Sequence, residues 1–234
     1  MTLDTTDHHT VRIARASRRT HSTPCERGAR ARRAPRANVA GVWVRRAAIR
    51  PVPTYAQVAP QVVETIEGEL SADEDEGESS LDDAFVRFEE KQPALSSHVA
   101  SALAKPLEET ALALGYFLTL AIYLAFERSF GGLVRRIDDE SIEAVEQALA
   151  LDEELRRADP AEAVDSDDVV AMEQPHVVRF VHEHVDAALE AHASTVDVDD
   201  VHAVYRLALV EVLALSYAVV PPAHATLPKN EFFA

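Results

Sequence analysis

Apolar positions recur along this chain at helical spacing, in blocks separated by Pro, Gly and Asp. Leu81, Phe85 and Phe88 share one helical face, and Leu95, Val99 and Leu103 continue an apolar stripe beyond Gln92-Pro93. Pro93 suits a first helical turn, where its missing N–H is no loss. Pro106 precedes a long helix from 107 to about 130, which Gly131-Gly132 ends. Asp138-Asp139 caps a more polar helix over 140–158 with Ile142, Val145, Leu149 and Leu155 inward; Pro160 marks its end. A short helix over 167–173, one from Pro175 to about 192 and a last one over 199–218 follow. Asp197 or Asp199 caps the last, and Pro221-Pro222 stops it. The pattern predicts an all-α helical bundle.

Two stretches of this pattern resemble each other. The first runs Asp82-Asp83, Gln92-Pro93, then the apolar run Ala111–Phe126; the second runs Asp167-Asp168, Gln174-Pro175, then Val201–Tyr217. The sequence therefore predicts two related helical units, 81–130 and 167–218, joined by the polar helix 140–158. Together they make a domain over 81–220, followed by a loose tail, 221–234, in which Phe232 and Phe233 form a sticky end.

Charge divides the chain further. Residues 1–50 hold twelve Arg, no Lys and three acids, a net of +9; residues 51–234 hold 11 basic and 37 acidic residues, a net of −26. The Arg-rich head lacks apolar periodicity and is expected to be disordered. Four readings stay open for it: a start codon placed too far upstream, a head folded back on the acidic body, a nucleic-acid-binding arm, or an organelle transit peptide. Residues 51–80 read as a linker, because Pro51, Pro53 and Pro60 break an early helix and Glu64–Asp83 carries ten acids and no base. Outside the head, such acidity argues against attraction to nucleic acid or anionic lipid. Cys25 is the only cysteine, which excludes an internal disulfide and fits a reducing, cytoplasmic setting.

Ala111–Phe126 is almost wholly apolar, and Arg128, Arg135 and Arg136 follow it like a stop-transfer flank. The run falls short of the roughly 20 residues that span a bilayer. Its counterpart carries His202, Arg206 and Glu211, which are costly in lipid. Both runs are therefore expected as core helices. Burial of the first on every side would call for a second subunit, which makes a homodimer an expected partner state.

Few residues suggest chemistry. Glu173 and His176 have the Glu-x-x-His spacing of di-metal carboxylate bundles, but Pro175 lies inside the motif and no second copy exists. His184 shares a stripe with Val177, Val181 and Ala188, which places it at the core or its rim, as a hydrogen-bonded histidine or as a base. Glu211 shares a face with Val204, Ala208 and Leu215; such a carboxylate needs an Arg partner, a rim position or a raised pKa. There is no Gly-rich phosphate loop and no nucleophile elbow. No cofactor is implied. The chain leans away from an enzyme and reads as a non-enzymatic protein-interaction or scaffold module, acting through apolar helix faces and an acidic surface. The alternatives are a metal-dependent or acid–base helical-bundle enzyme using Glu173, His176, His184 and Glu211, and a membrane protein with helical hairpins.

Overall fold

The computed structural model describes residues 48–72, 78–158, 166–192 and 196–223. The Arg-rich head through residue 47 and the tail from residue 224 lie outside the described residues. Over the described residues the protein is all-α. Its helices are α1 (Pro60–Ala72), α2 (Glu78–Lys91), α3 (Pro93–Leu103), α4 (Glu109–Phe130), α5 (Asp139–Ala158), α6 (Ser166–Glu173), α7 (Pro175–Ala191) and α8 (Val198–Ala218). The remaining regular structure is two single 3-10 turns, at Thr54–Ala56 and Gly131–Leu133, and one antiparallel bridge between Val134 and Val219.

Local sequence explains the helix ends. The Glu108 carboxylate accepts the Thr110 and Ala111 amides at the start of α4, and Gly131, with φ +52°, closes it. Asp197 accepts the Asp199 amide at the start of α8. Asp138 accepts the Ser141 amide at 2.8 Å at the start of α5. Gln92-Pro93 and Gln174-Pro175 each close one helix and open the next, with nearly the same backbone angles at both glutamines (φ −130°, ψ 58° and φ −132°, ψ 65°).

The two apolar helices, α4 and α8, form the central pair, and the others wrap around them. Gly115 keeps this centre tight: a Cβ there would meet Leu103 at 2.6 Å and Val204 at 3.4 Å. α1, α2 and α7 also lie against α4, while α3 and α5 lie against α8. The faces of α4 that were expected to need a second subunit are thus largely covered within one chain.

Three expectations need correction. The segment read as a linker belongs to the core: Val52, Ala56, Val58, Val63 and Ile66 are all buried in the common apolar cluster. Pro60 does not break a helix but opens α1, where a missing N–H is harmless. On α5, Ile142, Val145 and Leu149 are buried as expected, but Leu155 is 46% exposed. Asp152 is turned inward instead and accepts the Ala48 amide at 3.3 Å.

The two glutamines tie these parts together. Gln92 donates to the Arg135 carbonyl at 3.0 Å and accepts the Ile137 amide at 2.9 Å. Gln174 donates to the Ala56 carbonyl at 2.6 Å and to the Ser216 hydroxyl at 2.9 Å, and accepts the Val58 amide at 3.1 Å. Each side chain therefore holds the extended backbone just ahead of a helix, α5 in one case and α1 in the other.

Candidate functional site

Glu211 lies at the centre of α8 and is completely buried. Neither carboxylate oxygen has a hydrogen-bond partner among the described residues. Burial drives its pKa well above the ordinary value of 4.5; the Thr119 hydroxyl of α4 opposes that shift, without a hydrogen bond of proper geometry. Burial among apolar neighbours therefore favours the protonated, neutral form of this side chain. Neither the Arg partner nor the rim position anticipated from sequence is found; only the raised pKa is.

The other expected residues are employed elsewhere. Glu173 ends α6 and His176 lies in α7, so Gln174 and Pro175 divide the Glu-x-x-His motif between two helices. The Glu173 carboxylate accepts the Val52 amide at 2.9 Å and so holds the segment that leads into α1. His184 is half-buried at the core rim. Its Nδ1–H donates to the Phe180 carbonyl at 2.9 Å, and its ring lies 4.1 Å from that of Phe180 and 4.9 Å from that of Phe117. That bond fixes the tautomer of the neutral ring with Nε2 as the free acceptor. Among the described residues no three His, Cys, Asp or Glu side chains come together in a way that would hold a metal ion. No three of Glu173, His176, His184 and Glu211 gather where they could hold one metal ion.

What the fold does assemble is a hollow of about 310 Å³ between α1, α2 and α4. Leu70, Leu81, Phe85, Tyr116, Phe117 and Leu120 line it, with Asp82 in the wall. Tyr116 is 45% exposed, and its ring centroid lies 6.2 Å from that of Phe85. Tyr116 is the one exposed aromatic of α4, a position that its apolar run does not distinguish in the sequence. The contribution of Leu70 was hidden, because it lies in the acidic stretch read as linker.

A polar cluster closes the other end of α2. Glu127 accepts Lys91 at 2.6 Å, the Tyr123 hydroxyl at 3.0 Å and Arg87 at 3.4 Å. Burial works against this carboxylate, yet Lys91, Tyr123 and Arg87 together hold its pKa below the ordinary value. Glu127 of α4 is shared by two cations of α2, Lys91 and Arg87, so the cluster fastens α2 to α4.

α4 and α8 are long and apolar enough to cross a membrane, and 61% and 78% of their apolar stretches are buried inside the protein. No protein-family model, curated protein or solved structure matches the chain.

Proposed function

We propose that this protein is a non-enzymatic interaction module whose groove between α1, α2 and α4 receives a basic, amphipathic segment of a partner. The observation that carries this reading is the pairing of an apolar floor with an acidic rim. Phe85, Tyr116 and Phe117 offer the anchoring surface that helix-in-groove recognition uses. Asp82 lies in its wall, and the sequence from Glu64 to Asp83 holds ten acids and no base. A partner with Lys or Arg on one face and large apolar side chains on the other matches both features. A second copy of the acidic body, at −26, fits less well, because like charges oppose the approach.

A synthetic helical peptide with Lys and Arg on one face and Leu on the other is the probe. Its binding should slow amide hydrogen exchange in α1, α2 and the middle of α4, and salt should weaken it. Phe85→Asp together with Tyr116→Asp should abolish that protection. Equal binding by a peptide of the same charge without the Leu face would reject the groove.

The relation between the two helical units is part of the same proposal, extended to α1–α4 and α5–α8. Supporting it, Gln92 grips the carbonyl of Arg135 and the amide of Ile137, while Gln174 grips the carbonyl of Ala56 and the amide of Val58. The Val134–Val219 bridge joins the segments that follow α4 and α8. Relatives in which the two Gln-Pro pairs vary independently would overturn it.

A further inference from the structure

A second hollow, of about 490 Å³, opens between residues 48–50, the turn at 135–138, α5 and the end of α8. Its inner wall is apolar, with Val145, Ala148, Leu213 and Ala214, while Arg50, Arg135 and Arg136 line its mouth. This is an unusual concentration of one sign on a body whose residues 51–234 carry −26. None of the three guanidiniums pairs with a carboxylate among the described residues. Arg50 lies 4.1 Å over the Tyr217 ring, and Arg136 donates to the Glu90 carbonyl at 2.8 Å. Among the described residues Asp138 is the one acid in the lining, and the Ser141 amide and hydroxyl already occupy its carboxylate. Tyr217 forms part of the wall; its hydroxyl donates to the Arg50 carbonyl and anchors the base of that arginine.

We propose that this hollow binds a small organic anion, with a carboxylate or phosphate head group held by the three arginines and an apolar body against Val145 and Leu213. The guanidinium fork matches both head groups, and the volume lies within the range of small-molecule sites, about 300 to 1,000 Å³. The surrounding acidity selects further. A polyanion would meet the field of the whole body, whereas a small ligand with one anionic head group feels mainly the nearby arginines within a Debye length of about 8 Å. This proposal stands apart from the groove between α1, α2 and α4 and shares no residue with it.

The test is titration calorimetry of the full chain with octanoate, octyl phosphate, octanol and inorganic phosphate. At least one of the two octyl anions should bind saturably, and octanol should bind at least about tenfold more weakly. A preference for octanoate assigns a carboxylate ligand, and a preference for octyl phosphate assigns a phosphate. The Arg135→Gln, Arg136→Gln double variant changes only exposed side chains. It should weaken the preferred anion at least about tenfold with an unchanged far-UV circular dichroism spectrum. Ala148→Leu, which fills the hollow and leaves the arginines in place, should weaken the octyl anions more than inorganic phosphate. Octanol binding as well as the anions, no binding of either anion, or undiminished binding by the double arginine variant would each overturn the proposal.

Discussion

Gln174 and Glu211 both lie fully buried in the same core, one at the start of α7 and the other midway along α8. They differ by little more than an amide in place of a carboxyl, yet their surroundings are opposite. Gln174 makes three hydrogen bonds and connects α7 to α8 and to the segment before α1. Glu211 makes none. A buried polar group that is satisfied acts as a fastener, whereas one left bare opposes the fold. The first is therefore part of what specifies this structure, and the second is carried in spite of it.

The largest effect should come from Gln174→Leu. It leaves the Val58 amide and the Ala56 carbonyl without their partner in the core, and stability should fall by about 3 kcal/mol. Urea unfolding measures it, with hydrogen exchange at Val58 as a local readout; a loss confined to a few tenths would break the comparison. Gln92→Leu should cost less, about 2 kcal/mol, because its partners lie in a turn where the neighbouring Arg135 and Arg136 are exposed and water can replace the side chain. Equal losses at the two glutamines would show that solvent access at the turn does not matter.

The comparison also shows what could be read from the sequence and what could not. Helices α2 to α8 follow from local spacing and caps, and they stand within a few residues of where the pattern puts them. Gln92-Pro93 and Gln174-Pro175 are visible as junctions because Pro has a local effect. That both glutamines reach backbone far away in sequence was hidden, since a side chain's distant partner leaves no periodic trace. α1 was missed because Glu64, Glu67 and Glu69 mask the buried Val63 and Ile66, and because Pro60 signals a stop and a first turn equally well. Glu211 was visible as an interruption of an apolar face, but its lack of any partner was not. The groove and the arginine-lined hollow were least visible. Each joins residues that the sequence read as core helix to a few that it read as linker, head or membrane flank.

Replacing the bare carboxyl should move stability in the opposite direction from the glutamine variants. Glu211→Leu keeps a similar volume and removes the unsatisfied group, so it should stabilise the protein by about 1 to 2 kcal/mol even at acid pH, where the carboxyl is protonated folded or not. Its pH dependence sharpens the point. With a folded pKa above the ordinary 4.5, this group binds its proton more tightly in the folded state. Its contribution is fully present below pH 4.5 and is lost as pH rises from there through the folded pKa, by up to about 1.4 kcal/mol per pH unit. Glu127 has the opposite sign: its lowered pKa adds stability above the ordinary value that is lost on acidification. Glu211→Gln isolates the first effect, because its advantage over the parent should grow as pH rises above 4.5. A difference that stays constant with pH would mean that the carboxyl is ionised in the core.

The smallest expected effect lies on the same helix and shows that burial decides. Arg206 donates to Glu153 of α5, and both side chains remain about one-third exposed, at 36% and 32%. Arg206 is charged and paired, Glu211 ionisable and unpaired, and they are five positions apart on α8. If charge pairing were the main determinant, Arg206→Met would be the more damaging change. Water instead screens the exposed pair and solvates either partner left alone, so Arg206→Met should cost no more than about 1 kcal/mol. Raising salt should shrink that cost and leave the gain from Glu211→Leu unchanged, since no mobile ion reaches the interior. A salt-sensitive gain at Glu211 would place water or ions beside a side chain that the fold encloses completely.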